Sequence, residues 1–217
     1  MTPSNLVEEA ESFARRNHEG QTRKGVAQEP YITHVEEVAT LVREFGGTDI
    51  AIAAAWLHDV VEDCDPTIDE ISERFGASVA KVVLEVTDNK DLPKSARKRL
   101  QVESANHKSP EACLIKWADK TSNLRSIANS PPDWTSERKR EYIGWATSVT
   151  ANLPSRPESA VEGFNQAKAR AESLPEQPTS MVQSQGASTL ELAWVDHGRT
   201  TSLQRSEGRL FICLFCY

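Results

Sequence analysis

The chemistry in this sequence is concentrated at His58-Asp59, an imidazole and a carboxylate that follow Ala51, Ile52, Ala53, Ala54, Ala55, Trp56 and Leu57. So apolar a helix does not accept a charge or a polar ring without partners, because desolvating either one is costly. The dipeptide can satisfy itself as a structural pair. Alternatively, both side chains can reach one cation lying over the helix, since adjacent helical residues project about 100° apart. Two further residues bear on the choice. His34 ends the stretch Pro30-Tyr31-Ile32-Thr33-His34, and Asp119 follows the apolar residues Leu114, Ile115, Trp117 and Ala118. Two imidazoles and two carboxylates form a mixed nitrogen–oxygen set that suits Mn²⁺, Fe²⁺, Zn²⁺ and related ions. Four protein ligands on an octahedral ion leave positions for water and substrate.

Glu62 and Asp63 come next. Glu62 is i+4 from His58 and Asp63 is i+4 from Asp59, so a continuous helix turns both toward the same side. Acidic residues are disfavoured at a helix C-terminus by the macrodipole, which favours a functional reading of the pair over a solvated helix end. There they can orient or deprotonate a metal-bound water, or protonate a leaving group. Cations lie nearby in sequence: Arg23-Lys24 sits in a loop between Gly20 and Gly25, ahead of His34. Lys116 (i−3) and Asn123 (i+4) share a helix face with Asp119, and Lys120 is adjacent.

The elements that must position these residues read as helices from Leu6 to Leu174. Val35, Val38, Val42 and Phe45 form a stripe ending at Gly46-Gly47, while Ile50 to Val61 is apolar nearly all round, the pattern of a helix at the centre of a bundle. Thr67 and Glu70 form a capping box for a helix that stops near Phe75-Gly76. Val79, Val82, Val83 and Val86 are β-branched, yet their 3, 4, 3 spacing favours helix over strand. Further helices are expected over Ser95–Ser104, Glu111–Ile127, a segment capped by Ser136, and Glu158–Ser173. With no alternating strand and no repeat, the expected fold class is all-α: one helical domain over residues 5–174. Residues 175–217 have the Pro, Ser, Gln and Gly composition of an irregular tail, whose Cys213-x-x-Cys216 lacks a second ligand pair for zinc.

The chain carries 25 Lys+Arg against 32 Asp+Glu, a formal net charge of −7. That balance excludes a sequence-independent binder of duplex nucleic acid, which needs a basic footprint. It leaves room for a small polyanion held by a metal and a few converging cations. No run of about 18 apolar residues spans a membrane, and no secretory signal opens the chain. Four cysteines in a chain this long do not make a disulfide framework, so a soluble cytoplasmic protein is expected.

Four motifs in order, His18-x-x-Gln21-x-Arg23-Lys24, Pro30-Tyr31-Ile32-x-His34, His58-Asp59-Val60-Val61-Glu62-Asp63 and Lys116-Trp117-Ala118-Asp119-Lys120-x-x-Asn123-Leu124-Arg125, make the chain similar to the HD-domain (p)ppGpp hydrolases. These are the hydrolase half of RelA/SpoT-type enzymes and the stand-alone small alarmone hydrolases. The resemblance covers about residues 5–174. It implies a helical HD fold with one Mn²⁺ held by His34, His58, Asp59 and Asp119, with Glu62 and Asp63 as the catalytic pair. It also implies that Arg23, Lys24 and Asn123 contact the nucleotide. The implied reaction removes the 3′-pyrophosphate of a guanosine alarmone, giving GDP from ppGpp or GTP from pppGpp. Other substrates fit the same residues: an adenine alarmone, a dinucleotide phosphate or a pyrophosphorylated tRNA end. A non-catalytic alarmone-binding regulator is the alternative outside enzymes. Cys64 stands where this family usually has Thr, and Trp117 where it usually has Leu.

Overall fold

Ten α-helices supply the regular structure of residues 3–173, the part of the chain that the computed structural model describes. They are α1 (Pro3–Asn17), α2 (Ile32–Glu44), α3 (Asp49–Leu57), α4 (Val60–Asp63), α5 (Ile68–Phe75), α6 (Ala77–Val86), α7 (Lys94–Glu103), α8 (Pro110–Asn129), α9 (Ser136–Ala151) and α10 (Glu158–Glu172). A 3-10 turn over Ala105–His107 precedes α8, and a single antiparallel bridge joins Thr22 to Pro30. The fold is all-α, as the periodicity predicts. The expectations for residues 175–217, including Cys213 and Cys216, lie outside the described residues.

Local chemistry sets the helix boundaries. Gly46 ends α2 at φ +85, the left-handed conformation that glycine adopts without penalty. Gly47 then passes so close to α2 that a Cβ there would lie 2.6 Å from Val42 Cγ1. The next helix starts where Thr48 Oγ1 accepts from Ala51 N at 3.3 Å. Thr67 and Glu70 form the expected capping box at α5, and the four valines of α6 are all buried on a helix, not a strand. Ser109 caps α8, with Pro110 in its first turn. One boundary differs: Thr135, not Ser136, caps α9, its Oγ1 accepting from Arg138 N at 3.2 Å. Thr135 is the residue with the extended backbone an N-cap needs, and Ser136 is already helical.

The two most enclosed helices carry the candidate ligands. Helix α3 packs against α1, α2, α6 and α8, and every residue from Ala51 to Leu57 is buried. Helix α8 packs against α2, α3, α6, α9 and α10, burying Ile115, Leu124 and Ile127, each contributing about 1.5–3 kcal/mol. The central helix does not run unbroken through His58-Asp59, as a purely apolar pattern suggests. It ends at Leu57 and resumes at Val60, with Asp59 at φ −103 and ψ −5 between them. That offset lets imidazole and carboxylate approach one point from the same strand of backbone.

Candidate active site

His34 on α2, His58 and Asp59 at the α3–α4 junction, and Asp119 on α8 converge where these helices meet. His34, His58 and Asp59 each offer a ligand atom within 4.8 Å of the others. His58 Nε2 lies 3.0 Å from Asp59 Oδ2, and His34 Nε2 lies 3.7 Å from Asp59 Oδ2 and 3.6 Å from Asp119 Oδ1. Ligands held about 2.1 Å from an octahedral cation are about 3.0 Å apart when adjacent and about 4.2 Å when opposite. These separations lie within that span, and Asp119 joins the site through His34, outside the trio whose ligand atoms all come within 4.8 Å of one another. His58 Nε2 is buried and forms no hydrogen bond despite its closeness to Asp59, which suits two donors aimed at a third point.

The partners around the four residues fix their orientation. His58 Nδ1 sits 2.7 Å from the Ala55 carbonyl and donates to it, leaving Nε2 toward the site. Tyr31 Oη donates to Asp59 Oδ2 at 2.5 Å. Asn123 Nδ2 and Lys120 Nζ donate to the two oxygens of Asp119 at 2.6 and 2.8 Å. Burial, then the charge of Arg23, holds the His34 pKa down to about 3, so its ring is neutral. Burial also opposes charge on His58, but Asp59 beside it and Asp119 beyond it push its pKa up to about 9. Burial raises Asp59 and Asp119, yet His58 and His34 around the first, and Lys120 and His34 around the second, hold both below the usual carboxylate range. Two ionised carboxylates thus draw positive charge to this point. A divalent cation meets that demand while leaving both imidazoles neutral.

Glu62 faces the same cleft, lined by His34, His58, Asp59, Asp119, Asn123 and residues of α7 and α9. Burial first, then the charges of Asp59, Asp88 and Asp63, push the Glu62 pKa up to about 7. Lys90 Nζ at 3.9 Å and Arg97 Nη1 at 3.5 Å do not reverse this, because each is shared with a second carboxylate, Asp63 or Asp88. Asp63 behaves differently from its neighbour: it pairs with Lys90 and does not line the cleft.

The far wall is cationic and aromatic. Lys94, Arg97 and Lys98 of α7 line it with Lys116 and Lys120 of α8 and with Tyr142 and Trp145 of α9. Lys98 Nζ lies 4.9 Å and Lys120 Nζ 4.3 Å from the Trp145 ring centre. Partial burial, then Lys24, Lys98, Arg138 and Arg97, bring the Lys94 pKa down to about 8.

Residues 10–145 match the HD-domain family, which accounts for the His-Asp dipeptide at the centre of the site. The chain is an HD-domain protein. Human guanosine-3′,5′-bis(diphosphate) 3′-pyrophosphohydrolase MESH1 is 51% identical over 148 residues, covering 67% of this chain and 83% of the human protein. The Haemophilus influenzae guanosine-3′,5′-bis(diphosphate) 3′-pyrophosphohydrolase is 40% identical over 127 residues, 56% of this chain but 18% of that protein. A solved structure of a metazoan ortholog of SpoT, described as hydrolysing ppGpp, superposes with a TM-score of 0.73 at 37% identity, covering 78% of this chain and 97% of that one.

Within this HD domain the sequence-derived residues sort into three groups. His34, His58, Asp59, Asp119, Glu62 and Asn123 line one cleft. Arg23 is one step behind it, Nη2 donating to Asn123 Oδ1 at 3.1 Å, so it acts on the cleft through Asn123 and through its charge on His34. Lys24 is felt at the far wall by Lys94, and Asp63 turns to Lys90. Sequence reasoning missed Tyr31, Lys94, Arg97, Lys98 and Trp145 as lining residues. The signal for α7 was present: Lys94, Arg97 and Lys98 at i, i+3 and i+4 put three cations on one face of one helix in an acidic chain. Neither family departure reaches the cleft. Cys64 Sγ donates to the Asn17 carbonyl at 3.3 Å, and Trp117 Nε1 donates to the Ser155 carbonyl at 3.0 Å. Among the described residues, no helix is long and apolar enough to cross a membrane.

Proposed function

We propose that this HD domain hydrolyses the 3′-pyrophosphate of guanosine alarmones, ppGpp to GDP and pppGpp to GTP with release of pyrophosphate, using one bound Mn²⁺. The hydrolase domain in this reading spans residues 5–174. One observation carries the proposal: a nitrogen–oxygen ligand set and a carboxyl group with a pKa of about 7 open onto the same cleft as a wall of cations. Such a cleft matches a substrate with phosphates at both ends, and the relatives named above act on one.

His34, His58, Asp59 and Asp119 hold the cation. When bound, it supplies Lewis acidity, drawing charge from phosphoryl oxygens and acidifying water. Tyr31 and Asn123 keep Asp59 and Asp119 in place. Water attacks the phosphorus joined to the ribose 3′-oxygen, the P–O3′ bond breaks, and pyrophosphate departs. Glu62 takes the proton of the attacking water, the ribose 3′-oxygen takes one from solvent, and Glu62 then releases its own to solvent, which restores the starting state. Lys94, Lys98 and Lys120 neutralise the substrate's phosphates, and the Trp145 ring offers a flat face beside them. Asp63 tethers Lys90 beside Glu62.

The test is product analysis with the full chain and ppGpp, with and without Mn²⁺. GDP and pyrophosphate in equal amounts, only when Mn²⁺ is present, is the expected result. Release of single phosphates, or ppGpp bound and unchanged with Mn²⁺ present, sinks the reading.

A further inference from the structure

The two imidazoles of the site are oriented by different means. His58 Nδ1 donates to a backbone carbonyl, that of Ala55, which no side chain can alter. His34 Nδ1 lies 2.9 Å from Ser122 Oγ, and that hydroxyl donates to Glu37 Oε2 at 2.6 Å. A serine hydroxyl has one proton. With that proton committed to a carboxylate, Ser122 Oγ can only accept from the ring, so Nδ1 carries the hydrogen. Nε2 is left as a lone pair, 3.7 Å from Asp59 Oδ2 and 3.6 Å from Asp119 Oδ1. The other oxygen of Glu37 accepts from Arg125 Nη1 at 3.0 Å.

The arrangement is spaced for this purpose. His34 and Glu37 are i, i+3 on α2, and Ser122 and Arg125 are i, i+3 on α8, so the chain Arg125–Glu37–Ser122–His34 crosses three times between two packed helices. It runs from half-exposed Glu37 and Arg125 to Ser122, which is 0% exposed, and His34, at 1%. A buried hydroxyl between an imidazole and a carboxylate has no packing advantage over alanine. Its polar atoms are instead fully used by the two partners.

We propose that Glu37, acting through Ser122, is a positioning residue that fixes the tautomer and ring orientation of His34 for metal binding, with Arg125 holding Glu37. The inference rests on the metal reading above. A hydrogen-bonded outer partner of a ligand histidine is typically worth about 10- to 100-fold in metal affinity.

Mn²⁺ alone is the probe, titrated into the full chain of wild type, Ser122→Ala, Glu37→Gln and His34→Ala, with free Mn²⁺ read by electron paramagnetic resonance. Nitrogen-15 NMR of the His34 ring before metal is added reads the tautomer directly. Expected is an Nδ1–H tautomer in wild type that is lost or mixed in Ser122→Ala and Glu37→Gln, with Mn²⁺ affinity falling about 10- to 100-fold in each. Turnover at saturating Mn²⁺ recovers more than affinity does. Glu37→Gln is half-exposed, so its folding is secure even if Ser122→Ala disturbs the core. Wild-type tautomer and affinity in both variants, while His34→Ala binds no Mn²⁺, overturn the relay and leave the metal site standing. Wild type that takes up no Mn²⁺ overturns the metal reading instead, and the relay with it.

Discussion

The two walls of the cleft are built on opposite electrostatic terms. The inner wall, from α2, α3, α4 and α8, gathers carboxylates among buried imidazoles, and its groups are held by hydrogen bonds one by one. The outer wall, from α7 and α9 with Lys116 and Lys120 of α8, gathers cations whose partial burial, then the charge of their neighbours, lowers their pKa, with Lys98 brought down and Lys94 brought to about 8. One wall demands a positive charge and the other demands negative charge. A cation and a polyanion bound together satisfy both, whereas either alone leaves one wall uncompensated. The inner wall therefore governs chemistry and the outer wall governs capture, and variants of the two should fail in different ways.

The largest effect is expected on the inner wall. Asp59→Ala or Asp119→Ala removes a charge the other ligands depend on, so Mn²⁺ binding is lost and turnover falls by about 10³-fold or more, several kcal/mol at about 1.36 kcal/mol per tenfold. Equilibrium dialysis against Mn²⁺ and a ppGpp assay on the same sample check both. Mn²⁺ affinity intact with turnover lost would mean that the carboxylate serves the substrate and not the metal.

Glu62→Gln separates chemistry from metal binding within that same wall. Turnover drops by about 10²- to 10⁴-fold while Mn²⁺ affinity stays near wild type. Glu62 works as a base when ionised, so activity in the wild type falls as pH drops through its pKa. Burial keeps that midpoint above the ordinary carboxylate range, a cation that neutralises Asp59 draws it below about 7, and Glu62→Gln lacks the limb. The sign for stability runs the other way. A carboxyl whose folded pKa is raised stabilises the fold fully below its unfolded pKa, and that contribution is lost as pH rises through about 7. Glu62→Gln should therefore raise Tm at pH 8, by at most about 3 kcal/mol in stability, while it abolishes activity. An unchanged Tm would show that Lys90 and Arg97 already neutralise the carboxylate.

The contrast between the walls also explains what the sequence discloses. His58, Asp59 and Asp119 stand out because each breaks an apolar run, and burial makes a polar residue there costly without a purpose. Thr67 and Glu70 stand out because a capping box has a fixed spacing. Lys94, Arg97 and Lys98 share one helix face by their spacing, but such a cationic face is ordinarily a solvated one; only the packing of α7 against α9 turns them toward a cleft. The helix break at His58-Asp59 leaves no mark either, because neither residue is glycine or proline and His58 keeps helical angles of φ −60 and ψ −33. Asp63 has the i+4 spacing to face the cleft, yet Lys90, 27 positions along the chain, draws it aside. Spacing reveals which side chains share a face; it does not reveal which partner a distant loop brings.

On the outer wall, Lys98→Ala should raise KM for ppGpp about tenfold with kcat little changed, the loss of one partly exposed charged contact. Lys94 adds a pH signature: it is charged below about 8, so wild-type KM climbs as pH passes that point and Lys94→Ala flattens the climb. Steady-state kinetics from pH 6 to 9 separates the two. A kcat loss matching the KM rise would place these lysines on the transition state and dissolve the division of labour.

The smallest expected effect comes where the walls touch. Lys120 Nζ donates to Asp119 Oδ2 at 2.8 Å while lying 4.3 Å from the Trp145 ring centre, so one ammonium belongs to both. Trp145 also fixes the outer wall in register, its Nε1 donating to the Lys98 carbonyl of α7 at 3.0 Å. Trp145→Phe keeps an aromatic face but removes that donor and weakens the cation–π contacts, worth about 0.5–1 kcal/mol at a site of this exposure. KM for ppGpp should rise two- to fivefold, or about the same energy by the tenfold rule, with kcat and Mn²⁺ affinity unchanged. Asp119 retains Asn123 as a donor at 2.6 Å, so the inner wall does not need the indole. A fall in Mn²⁺ affinity in this variant, measured beside KM, would mean that Lys120 transmits strain from one wall to the other and that metal and substrate are bound as a coupled pair.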